Sequence, residues 1–263
     1  MDKLSSPHKG KVYFIGAGPG DPELLTIKGK RLIDKADCII YAGSLVNRDL
    51  FSDVEVPLYD SSGMHLDEII TLMTQVAAKG GNTARVHTGD PSLFGAIREQ
   101  MVRLDEGNIA YEIVPGVTSA FGAAASLGVE LTIPELTQSV IITRRGGRTP
   151  VPDKEHLSLL ARHEATMMIF LSVGMISDVV VDLLDGGLSE ETPVAVVTKA
   201  TWPDERIVIG TLGNIAKKVS EEKISKTAMI CVGRVFDKTL PGAESKLYDK
   251  NFSHQLRKSK VED

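Results

Sequence analysis

Cysteine is scarce in this 263-residue sequence, with two residues, and aromatic side chains make up only 5% of it. Cys38 and Cys231 lie far apart, each inside an apolar run, which excludes a disulfide framework and a cysteine-rich metal site and favours buried thiols in a reducing compartment. No stretch reaches the roughly 18 apolar residues of a membrane span. The opening Met1 to Gly10 lacks the apolar core of a signal peptide, so the expected protein is cytoplasmic with no membrane partner. Positive charge is also short: 30 Lys and Arg against 35 Asp and Glu leave a net charge of −5. An acidic surface repels phosphate backbones and argues against a nucleic-acid partner, and any anionic ligand would need a local basic patch. His65, His87, His156 and His163 fall at no metal-ligand spacing, so no protein-bound metal is assigned.

What is present is an ordinary globular composition, 42% hydrophobic and 25% charged, over a length that suits one large or two modest domains. Short β-rich apolar runs alternate with helical patterns, the rhythm of an α/β fold. Strands are predicted at Val12 to Ile15, Asp37 to Tyr41, Thr83 to Thr88 and Ala110 to Val114, with helices at Leu24 to Ala36 and Leu66 to Lys79. They suggest a parallel sheet covered by helices. A small-residue helix, Ser119 to Leu127, precedes a second series of strands at Ser139 to Thr143, Thr166 to Leu171, Pro193 to Thr198, Arg206 to Gly210 and Ala228 to Val232. Helices at His156 to Arg162, Ile176 to Asp185 and Leu212 to Glu222 complete a second α/β unit, with the boundary near Gly116 to Gly122. The tail from Pro241, with Lys246, Lys250, Arg257, Lys258 and Lys260, has few apolar anchors and is expected to fray.

Three loops carry the chemistry. Gly16-Ala17-Gly18-Pro19-Gly20-Asp21-Pro22 follows the first strand, where glycines let backbone approach a ligand closely or simply make a tight turn. A dinucleotide fingerprint would place its third glycine at position 21, which is Asp21, and the second strand ends in Tyr41-Ala42-Gly43 without a ribose-binding acid. Both departures weigh against NAD. Thr88-Gly89-Asp90-Pro91-Ser92-Leu93-Phe94-Gly95 follows another strand and leads into a helix. Pro115-Gly116-Val117-Thr118-Ser119-Ala120 is the third, where Thr118 and Ser119 cap the next helix or offer hydroxyls to a ligand. Ligands favour such loops at the C-terminal edge of a sheet.

In this order the three loops resemble the tetrapyrrole methyltransferase family, and the similarity runs from about Lys11 to Asp237. The resemblance implies two α/β domains of the tetrapyrrole methylase type, 11–118 and 119–240, followed by the polar tail 241–263, with S-adenosylmethionine in the cleft between the domains of a homodimer. By the family pattern Pro19 shapes the first loop, Gly89, Asp90 and Leu93 border the cofactor, and Thr118 and Ser119 extend that surface. Phe170, Leu171 and Val173 match the strand end that lies along the cofactor, and Ala228 and Met229 match its adenine-side contact. Taken singly, these apolar residues look like core.

Tyr41-Ala42-Gly43-Ser44-Leu45-Val46 and the segment Thr143-Arg144-Arg145-Gly146-Gly147-Arg148 resemble the group within the family that methylates precorrin-4 at C11. Arg144 and Arg145 then become candidates for binding the acetate or propionate groups of an anionic tetrapyrrole, where an isolated Arg pair would read as a solvated basic loop. Cobalt, when present, would arrive inside the substrate. The sulfonium methyl is already electrophilic, so this chemistry asks for positioning rather than a nucleophilic side chain, and no general base is assigned. A uroporphyrinogen or other precorrin methylase shares the cofactor loops; a NAD-dependent oxidoreductase and a ligand-binding module without turnover are the alternatives of other classes.

Overall fold

The structure, a computed structural model, describes residues 10–237 together with 239, 245, 252, 253 and 255. The tail positions Pro241, Lys246, Lys250, Arg257, Lys258 and Lys260 lie outside the described residues. The chain divides into two compact units, Met1–Gly122 with Lys199–Glu205, and Ala123–Thr198 with Arg206–Asp263.

In the first unit β1 (Val12–Gly16), β2 (Cys38–Tyr41), β3 (Leu58–Asp60), β4 (Thr83–His87) and β5 (Tyr111–Val114) form one parallel sheet in the order β3-β2-β4-β1-β5. Helices α1 (Ile27–Asp34), α2 (Leu66–Ala78) and α3 (Arg98–Glu106) connect the strands. Successive strand residues point to opposite faces, so each strand feeds two cores. Phe14 and Ile40 pack with Met73 and Leu104 on one face, and Ile15 and Ile39 with Ile33 and Phe51 on the other. Each fully buried side chain of this kind contributes about 1.5–3 kcal/mol. Helix starts follow their capping chemistry: Thr26 accepts from the Gly29 amide at 3.0 Å, and the Glu68 carboxylate accepts from His65 N at 2.7 Å. The predicted first helix is shorter than expected because Pro22–Leu24 forms a separate 3-10 turn ahead of the Thr26 cap.

The second unit holds β6 (Val140–Arg144), β7 (Thr166–Phe170), β8 (Pro193–Thr198), β9 (Arg206–Thr211) and β10 (Ala228–Val232) in the order β6-β7-β10-β8-β9. Here only β6 and β7 run parallel; the other neighbours are antiparallel. The seven residues Lys199–Glu205 between β8 and β9 are too few for a parallel crossover. Helices α5 (Leu157–Leu160), α6 (Ile176–Asp185) and α7 (Ile215–Glu221) cover one face, where Val179, Leu183, Ile215 and Val219 pack on Ile169, Val196 and Ile230. Helix α4 (Ser119–Leu127) spans the division between the units in sequence.

Cys38 and Cys231 are buried and unbonded, and burial raises both thiols, Cys38 to about 11, which makes them inert at neutral pH. Among the described residues no helix is long and apolar enough to cross a membrane.

Candidate functional site

The parallel register aligns Gly16 with His87 and Ile15 with Val114, so the loops after β1, β4 and β5 leave the sheet side by side. They are joined through backbone. A Cβ on Gly16 would fall 2.6 Å from Gly116 Cα and from Gly89 O, and one on Gly116 would fall 2.3 Å from Gly89 O. Only glycine permits this approach. Gly18 and Gly89, both in left-handed backbone at φ +78° and +61°, pair with each other: Gly89 N donates to Gly18 O at 2.8 Å and Gly18 N to Gly89 O at 3.3 Å. Asp90 adds a side-chain tie, its carboxylate accepting from Ser92 N at 2.8 Å and Gly116 N at 2.9 Å.

Gly89 faces the start of α4, where a Cβ on it would make ordinary contact, 3.5 Å from Ser119 N. Thr118 is buried, and its hydroxyl accepts a long bond from Ala120 N at 3.4 Å. Half-buried Leu93 opens a tightly wound segment in which Gly95 presses on Pro91, leaving no room for a Cβ, and Phe94 and Ala96 on either side take φ of +54° and +49°. Non-glycine residues held in left-handed backbone are strained, and such strain collects at ligand sites. Pro19, Gly89, Asp90, Leu93, Thr118 and Ser119 are thus brought to one sheet edge.

Sequence reasoning missed Trp202. Its indole Nε1 donates to Pro19 O at 2.8 Å, and buried Pro19 also packs close to Gly122. A lone tryptophan in the polar stretch Lys199 to Glu205 was the available signal. Also unanticipated is the interior of β4. Arg85 is buried, donating to Gln100 Oε1 at 3.1 Å and Ile40 O at 3.3 Å, and burial lowers it to about 10. His87 beside it has an unpartnered buried Nε2, and burial together with the Arg85 charge lowers it to about 3, so it is neutral and apolar in effect.

In the second unit, Arg144 is in register with Phe170, and antiparallel β7 and β10 bring the start of β10 beside the end of β7. Arg144, Phe170, Leu171, Ala228 and Met229 therefore share one end of that sheet. Leu171 is 70% exposed at φ +54°, whereas Val173 and Met229 are buried and Val173 packs in the helix-covered core. Both arginines are engaged. Arg144 donates to the carbonyls of Thr149 at 3.1 Å and Pro150 at 2.7 Å, bracing its own loop without neutralising its charge. Arg145 Nε donates to Asp182 Oδ2 at 2.6 Å, and its Nη1 lies 3.3 Å from Asp178 Oδ2. The Asp182 bond holds the Arg145 guanidinium above its ordinary value. One cation between two carboxylates has no positive charge to spare. Among the described residues no group of three or more His, Cys, Asp or Glu is placed to hold a metal ion.

Comparison with known proteins matches residues 11–216 to the family of tetrapyrrole (corrin/porphyrin) methylases. The chain is 57% identical over 251 residues to the cobalt-precorrin-4 C(11)-methyltransferase of Methanocaldococcus jannaschii, covering 95% of this chain and 96% of that one. The X-ray structure of a cobalamin biosynthetic enzyme, cobalt precorrin-4 methyltransferase, superposes with a TM-score of 0.86 at 47% identity, covering 90% of this chain and all of the other. Uroporphyrin-III C-methyltransferase from Thermus thermophilus complexed with S-adenosylhomocysteine gives 0.71 at 28% identity, covering 87% and 94%. With the family model matching residues 11–216 and the relatives matching over nearly the full length, the chain belongs to the tetrapyrrole (corrin/porphyrin) methylase family.

Proposed function

We propose that the protein methylates C11 of cobalt-precorrin-4 with S-adenosylmethionine as donor, in the cytoplasm and as a homodimer. The observation that carries this reading is the sheet edge at which three loops meet on glycine backbone, together with near-full-length identity to enzymes named for that reaction. The edge fits the donor. Gly89 faces Ser119 N, and the first turn of the nine-residue α4 suits the carboxylate of an amino-acid moiety. When bound, S-adenosylmethionine supplies an electrophilic methyl group, so no nucleophilic side chain is required.

The chain's own groups position and shield. Asp90 has both carboxylate oxygens committed to backbone amides, which makes it a brace rather than a base. His87 is buried, neutral and not a proton shuttle. Arg144 is the better placed of the two arginines to meet a substrate carboxylate, because its acceptors are neutral carbonyls and two of its five N–H groups remain after those bonds and a long one to Arg145 O. Cobalt, when present, belongs to the substrate.

Calorimetric titration tests the donor: S-adenosylhomocysteine should bind stoichiometrically and NADH should not, since Asp21 occupies the third-glycine position of a dinucleotide loop. Parallel incubation of precorrin-4 and cobalt-precorrin-4 with methyl-labelled donor, followed by carbon spectra, tests the acceptor. A label anywhere but C11, or NADH binding without S-adenosylhomocysteine binding, overturns the proposal. Light scattering checks the dimer.

A further inference from the structure

Residues Lys199–Glu205 group with the first unit and close on the glycine-rich loop. Three successive loop residues are each held by a side chain distant in sequence. Pro19 O accepts from Trp202 Nε1 at 2.8 Å, Gly20 O from Asn47 Nδ2 at 3.1 Å, and Asp21 N donates to Thr201 Oγ1 at 3.0 Å. The indole ring also occupies the space beside Gly20, where a Cβ would fall 2.0 Å from Trp202 Cδ1. Lys199 and Thr201 take left-handed φ values of +51° and +68°, which non-glycine residues keep only where surrounding contacts over-determine them. Glu205 supplies one such contact, accepting from Thr201 N at 2.6 Å, and Lys199 Nζ supplies another, 5.8 Å from the indole centroid. These contacts hold the segment with the Trp202 indole against the glycine-rich loop.

We propose that Trp202 is a positioning residue for S-adenosylmethionine: it sets the shape of Pro19–Gly20–Asp21 that receives the donor, without touching the reacting atoms. This rests on the donor reading given above. Loss of the indole bond should then weaken donor binding and spare turnover once the donor is saturating.

Trp202 is the only tryptophan in the sequence, so emission reports on this contact alone. In the wild-type protein, emission should change on adding S-adenosylhomocysteine and saturate at the calorimetric Kd. Trp202→Phe, which keeps a ring but not the donor, should weaken S-adenosylhomocysteine about fivefold and raise the KM for S-adenosylmethionine by the same factor with kcat unchanged. Gly20→Ala should cost far more affinity in the wild-type background than in Trp202→Ala, where the ring it strikes is gone. Should Trp202→Ala not fold, Trp202→Phe decides alone. Unchanged affinity in Trp202→Phe with only a lowered Tm, or equal Gly20→Ala losses in both backgrounds, would overturn the role. A wild-type protein that does not bind S-adenosylhomocysteine would instead overturn the donor reading and this role with it.

Discussion

Replacing Arg145 by alanine should unsettle the second unit far more than it disturbs substrate binding. The Arg145–Asp182 contact is short, 2.6 Å, and its side chains are 24% and 11% exposed, between a surface pair and a buried one. Surface pairs contribute about 0–1 kcal/mol, and breaking a buried pair costs about 3–5 kcal/mol because the remaining charge is stranded. Asp178, 60% exposed at 3.3 Å, adds little. We therefore expect about 2 kcal/mol of coupling. Arg145→Ala and Asp182→Ala should each lose about that much in urea denaturation followed by circular dichroism, and the double variant should lose hardly more than either. His156, its Nε2 4.0 Å from Asp182, is too distant to replace the guanidinium. The KM for the tetrapyrrole should stay within about twofold in Arg145→Ala, since a cation held by two carboxylates contributes no net attraction. Additive losses, to within about 0.5 kcal/mol, would refute the pairing argument, and a tenfold rise in KM at unchanged stability would return Arg145 to the substrate.

Three further expectations follow from the same geometry. Arg144→Ala should raise the KM for the tetrapyrrole about tenfold, the equivalent of about 1.4 kcal/mol, and leave S-adenosylhomocysteine affinity unchanged; steady-state kinetics with an unaltered KM would leave Arg144 as a loop brace alone. Gly89→Val should remain folded by circular dichroism yet lose S-adenosylhomocysteine in calorimetry, because a branched residue at φ +61° costs about 1–2 kcal/mol and fills the face toward Ser119; normal binding would remove this edge from the cofactor site. His87, held at about 3 against an ordinary 6.5, stays neutral in the folded chain while the unfolded chain takes up a proton. Its contribution is complete above pH 6.5 and is lost as pH falls from there toward 3, by at most about 1.4 kcal/mol per unit. His87→Leu should flatten Tm against pH over that window, and an unchanged slope would show that other groups govern it.

Strand ends were legible wherever an apolar run met glycine or a Thr-Gly step, which is why β1 and β4 and the loops that follow them could be placed from sequence. β3 was not, because Leu58, Tyr59 and Asp60 are all exposed on a sheet edge and show no alternation. Strand direction in the second sheet was hidden as well: buried strands read alike either way, and only the short link from Thr198 to Arg206 carried the information. Within the site, residue types marked where the glycines act but not what holds them. Asp90 reaches an amide 26 residues away, and Trp202 reaches Pro19 across 183. Arg144 and Arg145 are adjacent and chemically alike, yet one faces carbonyls and the other two carboxylates, a distinction made by α6 that no local pattern encodes.

The order β3-β2-β4-β1-β5 has a consequence for how the chain comes off the ribosome. β1 is made before both of its sheet partners, β4 and β5, with Val12 aligned to Thr83 and Tyr111. Tyr111 appears about a hundred residues later, a wait of roughly 5 to 20 s at ordinary rates of synthesis. Until Thr83–His87 follows, about seventy residues after Val12, Val12-Tyr13-Phe14-Ile15 has neither ladder to join, and from then until Tyr111 it lacks the second, while both of its faces are apolar or aromatic. A nascent chain of this topology spends those seconds with an interior strand of its sheet unpaired or half-paired, and chaperone demand should fall sharply once Val114 has cleared the exit tunnel.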